Sequence, residues 1–352
     1  MTPVPPAPLV LSLGDEPSRR VTDVVAASTG VPGLGVDVDA TLALSVSVGS
    51  DLYSGGRPTH REVWEVLANT ALQDVAAARI LEPHLDALAI LSDAGSPELA
   101  AIDADAGSTW GVYAAEGRGM RLEATRDGDA WSITGTKPWC SLAGRLSHAL
   151  VTAHLDGGER GLFAVDLRST GVSPHDGPWV ARGLSGIVSA AVDFDAAAAV
   201  PVGGPGWYLE RPGFAWGGIG VAACWWGGAI GLLEWLAAAA SATDEPLTAM
   251  HLGAADAALW GARAALADAA DRADGRTGIA PTVIAGRARS VVATAVEQAL
   301  LHSAHGLGPG PLTSDEAYAR RVADLQVYVR QHHAERDDAS LGRKVAAGGT
   351  LW

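Results

Sequence analysis

Trp139, Cys140 and Ser141 put an indole and a hydroxyl two residues apart in a strand-like run. Alternate residues of a strand share a face, so 139 and 141 would suit one ligand surface; the same two residues also suit ordinary packing in a β domain. A second group lies in Tyr328–Asp338. There a neutral His332 can accept a proton near pH 7, and Glu335 brings a carboxylate three residues on, although a solvated polar helix end has the same composition. Other chemistries are missing. No HExxH, GxSxG or P-loop run occurs, and Gly306-x-Gly308-x-Gly310 is no dinucleotide fingerprint, because no strand precedes it and Pro309 and Pro311 intrude. His84 and Asp86 are too few for a metal site. Cys140 and Cys224, the only cysteines, allow one disulfide at most and suit a reduced, cytoplasmic setting. The formal charge of −15, from 25 basic and 40 acidic residues, repels phosphate backbones and excludes nucleic acid as a partner.

The elements that position these residues follow from pattern. A chain of 352 residues, 48% hydrophobic and 18% charged, can bury a sizeable core and predicts about two domains, with room for a third. Met1–Leu13, proline-rich and without a basic start, does not read as a signal peptide. Val21–Ser28 suits a short helix, and Thr41–Val48 suits either strand or helix. Thr59 and Glu62 form a capping box ahead of an apolar helical run; Pro83 is expected to break or restart it, and Ala94–Pro97 to stop it. From Trp110 to Val202 short strand-like runs (Trp131–Thr134, Ala149–Ala153, Leu162–Val165, Ala190–Phe194) alternate with turns such as Asp127-Gly128-Asp129 and Asp156-Gly157-Gly158, which predicts an antiparallel sandwich or barrel. Four helices follow, about 214–240, 246–273, 281–306 and 314–338, and read as a bundle. Pro212–Leu233 carries no charge and is long enough to cross a membrane, but its many glycines favour a buried central helix over a span. Trp216, Trp225, Trp226 and Trp235 suit bundle core or a subunit interface better than a cofactor box. The predicted class is α+β: a helical domain (1–106), a middle antiparallel β domain (107–205) and a C-terminal four-helix bundle (206–352).

This order resembles that of the acyl-CoA dehydrogenase family. The run Trp131–Ser141 looks like the family's strand–turn–strand G-x-K-x-W-I-[TS]; Gly171-Val172, Gly183-Leu184, Val192–Asp195 and Val200-Pro201 look like the closing strands of its middle domain; and Gly306-Leu307-Gly308, Arg320-Arg321 and Asp324-Leu325 are similar to its GGxG…R…RD run. The resemblance implies FAD between the β domain and the bundle, with its adenine end reaching a neighbouring subunit and an acyl-CoA or other acyl thioester against the ring. It implies α,β-dehydrogenation, with proton removal by a carboxylate and hydride transfer to the flavin. Trp139 would wall the flavin, Ser141 would give a hydroxyl, and Cys140 and Ala115 backbone groups. Gly306 and Gly308 belong to the adenine-end run, and His305 suits either a cap or that end. The implied partners are a second copy, in a homodimer or tetramer, and an electron-accepting flavoprotein.

Three gaps accompany the resemblance. Ala115 stands where the family has threonine, and the following GSD is absent. Ala242–Thr248 stands where R-x-x-F is expected, leaving Arg211 or Arg263 as substitute phosphate ligands. Family spacing from Asp324 reaches His332 rather than a glutamate, with Glu335 as the nearby alternative. Glu116 reads equally as a structural or a solvated carboxylate. The gaps also suit a half-site subunit completed by a paralogue, or a non-catalytic protein that kept the fold and lost the flavin.

Overall fold

The computed structural model describes residues 7–12, 14–275 and 279–348. Residues 1–6 and 13 of the N-terminal run, and 276–278 of the predicted turn at 274–278, lie outside these. Four helices come first: α1 (Arg19–Thr29), α2 (Val38–Tyr53), α3 (His60–Gln73) and α4 (Val75–Asp93). The capping box forms as predicted, with Thr59 accepting from the Glu62 N–H and Glu62 accepting from the Thr59 N–H. The ambiguous run 41–48 is helical, started by Asp37, whose side chain accepts from the Ala40 N–H. Pro83 does not break α4. Its cost of about 3 kcal/mol is outweighed by the burial of Ile80, Leu81, Leu85 and Ile90 around it, each contributing roughly 1.5–3 kcal/mol. The break comes earlier, at Asp74, whose extended backbone (φ −151°) ends α3 and whose side chain caps α4.

Seven strands follow: β1 (Trp110–Tyr113), β2 (Leu122–Asp127), β3 (Ala130–Ser141), β4 (His148–His154), β5 (Arg160–Asp166), β6 (Val172–Pro174) and β7 (Ser189–Pro201). The ladder runs β4–β2–β3–β7–β5 and returns to β4, so the sheet closes on itself. It is not antiparallel throughout. The hairpins β2–β3 and β4–β5 are, but β1 and β2 both lie parallel to β4. The pattern of turns reveals hairpins; it does not reveal these pairings across longer connections.

The C-terminal part holds α5 (Trp207–Glu210), α6 (Pro212–Ser241), α7 (Pro246–Asp274), α8 (Pro281–Leu307), α9 (Gly310–Ser314), α10 (Glu316–Tyr328) and α11 (Glu335–Gly348). Three of the predicted long helices appear nearly as read. The fourth is split: α10 ends at Tyr328, a short 3-10 turn covers Val329–Gln331, and α11 begins beyond Ala334 (φ +45°). The polar run 331–338 has no apolar stripe to hold a continuous helix on the bundle. Among the described residues α6 is the one helix long and apolar enough to cross a membrane. Cys224, Trp225, Trp226 and Leu232 are buried within it, and Gly227 touches α3 so closely that a Cβ would meet the Ala68 carbonyl. It is the central core helix, as its glycines suggested.

The motif residues Arg320, Arg321 and Asp324 staple this assembly. Arg321 donates to the carbonyls of Ala71, Leu72 and Gln73 at the end of α3 and to that of Gly228 in α6, at 2.7–3.2 Å. Arg320 pairs with Asp74 at 2.9 Å. Asp324 accepts from the Leu184 N–H at 2.5 Å, and Gly183 lies flat on the Ala323 carbonyl, with no room for a side chain. The loop before β7 is thereby fixed to α10.

Candidate active site

Trp139 sits on a β-bulge. Lys137 pairs with Val192 and Cys140 with Ala190, so Pro138 and Trp139 together face one residue of β7. Trp139 is in the left-handed region (φ +59°), and its indole is 64% exposed. The bulge breaks the alternation that would have put 139 and 141 on one face: Ser141 is buried. Alongside, Tyr113 donates to the Ser141 carbonyl at 2.9 Å, and Gly117 packs on Pro138, so the exposed Ala115 loop runs beside the bulge. The buried Cys140 thiol approaches the Lys137 carbonyl at 3.4 Å, and burial raises its pKa. Lys137 is also buried; its ammonium donates to the Thr152 carbonyl and hydroxyl at 2.9 and 2.8 Å and to Glu116 at 3.1 Å. Glu116 further accepts from Arg160 and meets His154, which makes it a structural carboxylate.

The Ser141 hydroxyl is already engaged. It shares a 2.7 Å bond with Ser189 and accepts from Arg79 of α4 at 2.8 Å. Arg79 packs over the Tyr328 ring at 5.8 Å. Its other arm comes within 3.7 Å of Glu82, too far for a hydrogen bond, and Nη1 has no hydrogen-bond partner. Glu82 opens into a cavity of about 430 Å³ between α4, α5, α6, α8, α11 and the segment before α11, within the roughly 300–1,000 Å³ of small-ligand sites. Phe214, Val221, Ala285 and Leu341 give it apolar wall; Asp86, Arg211, Arg289, His332, Asp337 and Lys344 give it charge or polarity. Arg289 lies over the Trp225 ring at 4.9 Å and is held by the Gly218 and Gln331 carbonyls at 2.5 and 3.0 Å.

Of the two candidate bases, His332 lines this cavity and is 8% exposed. Burial lowers its pKa, so the imidazole is neutral near pH 7. Glu335, the first residue of α11, is exposed and outside the cavity wall; the split of the predicted fourth helix turns it to solvent. The carboxylates that do face the cavity come from α4. Glu82 and Asp86, one turn apart, accept no hydrogen bond from the described residues, and burial pushes their pKa values up to about 7 and about 6. Sequence reading missed Glu82, although its place one turn before Asp86 on the predicted helix was a usable signal. Arg211 is no free phosphate ligand either: it is buried and donates to Asp93 at 2.9 Å.

Gly306 and Gly308 do not join this site. About 25 Å of α8 separates Arg289 from Gly306 at 1.5 Å per residue, and Gly306 rests instead on Leu236 and His251.

No protein-family model matches the sequence, and no curated protein matches it. Solved structures do match. TdsC from Paenibacillus sp. A11-2, solved with FMN and indole, is 18% identical, with a TM-score of 0.77 over 92% of this chain and 96% of that one. A nitrososynthase from Micromonospora carbonacea var. africana is 17% identical, with a TM-score of 0.77 over 98% and 100%. KijD3, solved with FMN and a dTDP-amino-keto sugar, is 18% identical, with a TM-score of 0.73 over 94% and 91%. The fold is shared. It is α+β, a helical part, a β-sheet region and a helical C-terminal part in the order the sequence predicted.

Proposed function

We propose that the chain is a flavin-dependent oxidoreductase whose flavin lies against Trp139 and the Ala115 loop and whose substrate occupies the 430 Å³ cavity. Two observations fit the residues present to a flavin. A large indole is held open to solvent in a backbone conformation that disfavours it. Deeper in, Arg79 Nη1 and Trp225 Nε1 are buried without hydrogen-bond partners. FMN, seen in TdsC and KijD3, and FAD, implied by the sequence, are both candidates. When bound, the flavin supplies hydride or electron transfer. The protein's part is to wall the ring with Trp139, to hold Ser141 through Arg79, to exclude water with Phe214 and Val221, and to accept a proton at the His332 imidazole.

The reaction carried by the sequence resemblance is α,β-dehydrogenation of an acyl thioester, with His332 as base. The likeness to TdsC, a dibenzothiophene monooxygenase, and to a nitrososynthase favours a second reading, flavin-dependent oxygenation. The missing phosphate ligands and the remote Gly306 and Gly308 support an oligomer in which a second copy, or a paralogue, completes the cofactor's far end across domains 1–106, 107–205 and 206–352. The single observation carrying the proposal is the exposed Trp139 in the left-handed region, two residues from Ser141, which Arg79 links to Glu82 in the cavity wall. The visible spectrum tests it. The expected result is a yellow protein, as purified or after incubation with FMN or FAD, whose flavin is bleached anaerobically by acyl-CoA if it is a dehydrogenase, or whose reduced flavin consumes oxygen if it is an oxygenase. A protein that stays colourless and leaves the fluorescence of both flavins unchanged would falsify it.

A further inference from the structure

We propose that Glu82 is the substrate-facing acid of the cavity, held as a neutral carboxylic acid that donates a hydrogen bond to a carbonyl-type oxygen on an otherwise apolar substrate. The inference rests on the reading of this cavity as the substrate site, and it adds the chemical class of the ligand. The side chain is 11% exposed and lines both this cavity and a smaller one of about 60 Å³ between α3, α4 and α6. No described donor bonds it. Arg79, its nearest cation, spends Nη2 on Ser141 and stands off at 3.7 Å. A buried carboxylate without donors is costly, whereas the neutral acid needs only one acceptor for its proton, and of the two cavities it borders the larger is the one with room for a ligand that brings it.

The charged and titratable groups around Glu82 come from several elements. Arg79 and Asp86 share α4, Arg289 comes from α8, Cys224 from α6, Tyr208 from α5 and Tyr328 from α10. Arg211, His332, His333, Asp337 and Lys344 stand around the same cavity. Burial outweighs the two arginines that draw the carboxyl toward ionisation, and Asp86 adds to the burial effect. His332 moves the other way. Near neutrality the cavity therefore has a proton donor on α4 and a proton acceptor on the segment before α11, a separation of roles that two environments impose on two groups. Among these charged and polar groups Phe214, Val221, Ala285 and Leu341 supply the apolar part of the wall, which fits an apolar body carrying one accepting oxygen.

The test has two arms. In the first, the chain is labelled with ¹³C at glutamate carboxyls and titrated, with Glu82→Gln identifying the resonance. The signal lost in the variant should titrate near neutral pH. In the second, 4-(dimethylamino)cinnamaldehyde is titrated into the chain as purified and again with FMN added. Its carbonyl is its main acceptor, and its absorption moves red when that oxygen receives a hydrogen bond. Wild type should bind it red-shifted below the Glu82 midpoint and about a hundredfold more weakly two pH units above, as the acid is lost. Glu82→Gln keeps an N–H donor and should bind equally on both sides of the midpoint. Glu82→Ala should bind weakly throughout. A Glu82 resonance that titrates with ordinary carboxylates, an Ala variant that binds as tightly as wild type, or no bound probe at any pH overturns the inference. FMN fluorescence in the same samples reports on the flavin reading separately: a chain that binds the aldehyde but not FMN retains the acid and loses the proposed function.

Discussion

Two arginine-rich junctions of this molecule behave oppositely. At the staple, Arg321 fills its guanidinium with four main-chain carbonyls. Behind the cavity, Arg79 leaves one nitrogen unbonded, as Arg211 does with its Nε, and Glu82 and Asp86 accept no hydrogen bond from the described residues. The groups are alike and the degree of satisfaction is not. A native fold pairs almost all of its buried polar atoms, so a cluster left short of partners marks where a ligand is meant to complete it. The satisfied junction holds the fold; the unsatisfied one is available for chemistry.

The sharpest way to break this contrast is at the staple. Arg321→Ala should cost about 3 kcal/mol or more, because it leaves buried helix-end carbonyls unpaired, and urea unfolding will measure it. A loss below about 1 kcal/mol would remove the claim that the motif is structural. Glu82→Gln should act with the opposite sign. A carboxyl raised from 4.5 to about 7 by burial disfavours the folded state as pH climbs from about 4.5 to 7, and the penalty is complete above that. The variant should therefore be more stable than wild type at pH 8, by up to about 3 kcal/mol, and no more stable at pH 4. Thermal melts at the two pH values decide it, and equal shifts at both would show that Glu82 is not held protonated. Trp139→Ala should leave the melting temperature nearly unchanged, since the indole is exposed, while weakening flavin binding at least tenfold in a fluorescence titration. Smallest of all, Glu335→Ala should alter neither stability nor turnover, whereas His332→Ala should lower turnover at least a hundredfold.

The sequence made the architecture legible where local chemistry decides it. The Thr59–Glu62 box, the Asp-Gly turns and the glycine-bearing apolar helix α6 each announced themselves. The errors share a cause: a local rule was outvoted by distant packing. Pro83 stays helical because its neighbours are buried, and the strand-face rule fails at Trp139 because a bulge, set by the pairing with β7, inserts a residue. Glu335 was the nearby alternative to His332 on a helix read as unbroken, and Ser141 was read without the arginine that α4 brings to it. The cavity carboxylates were hidden because nothing in a helical sequence says which of its faces will meet a void.

One feature of α11 bears on how a ligand gets in. Three sides of the cavity belong to α4, α6 and α8, and α6, the central one, is packed backbone to backbone on α3 through Gly227 and Ala68. The remaining side is α11, which buries none of its residues and supplies Asp337, Ser340, Leu341 and Lys344 to the wall. Peeling it back exposes little oily surface, so traffic between solvent and cavity can run under this one helix while the other walls stand still, and shortening the chain from its C-terminal end would widen the doorway before it weakened the house.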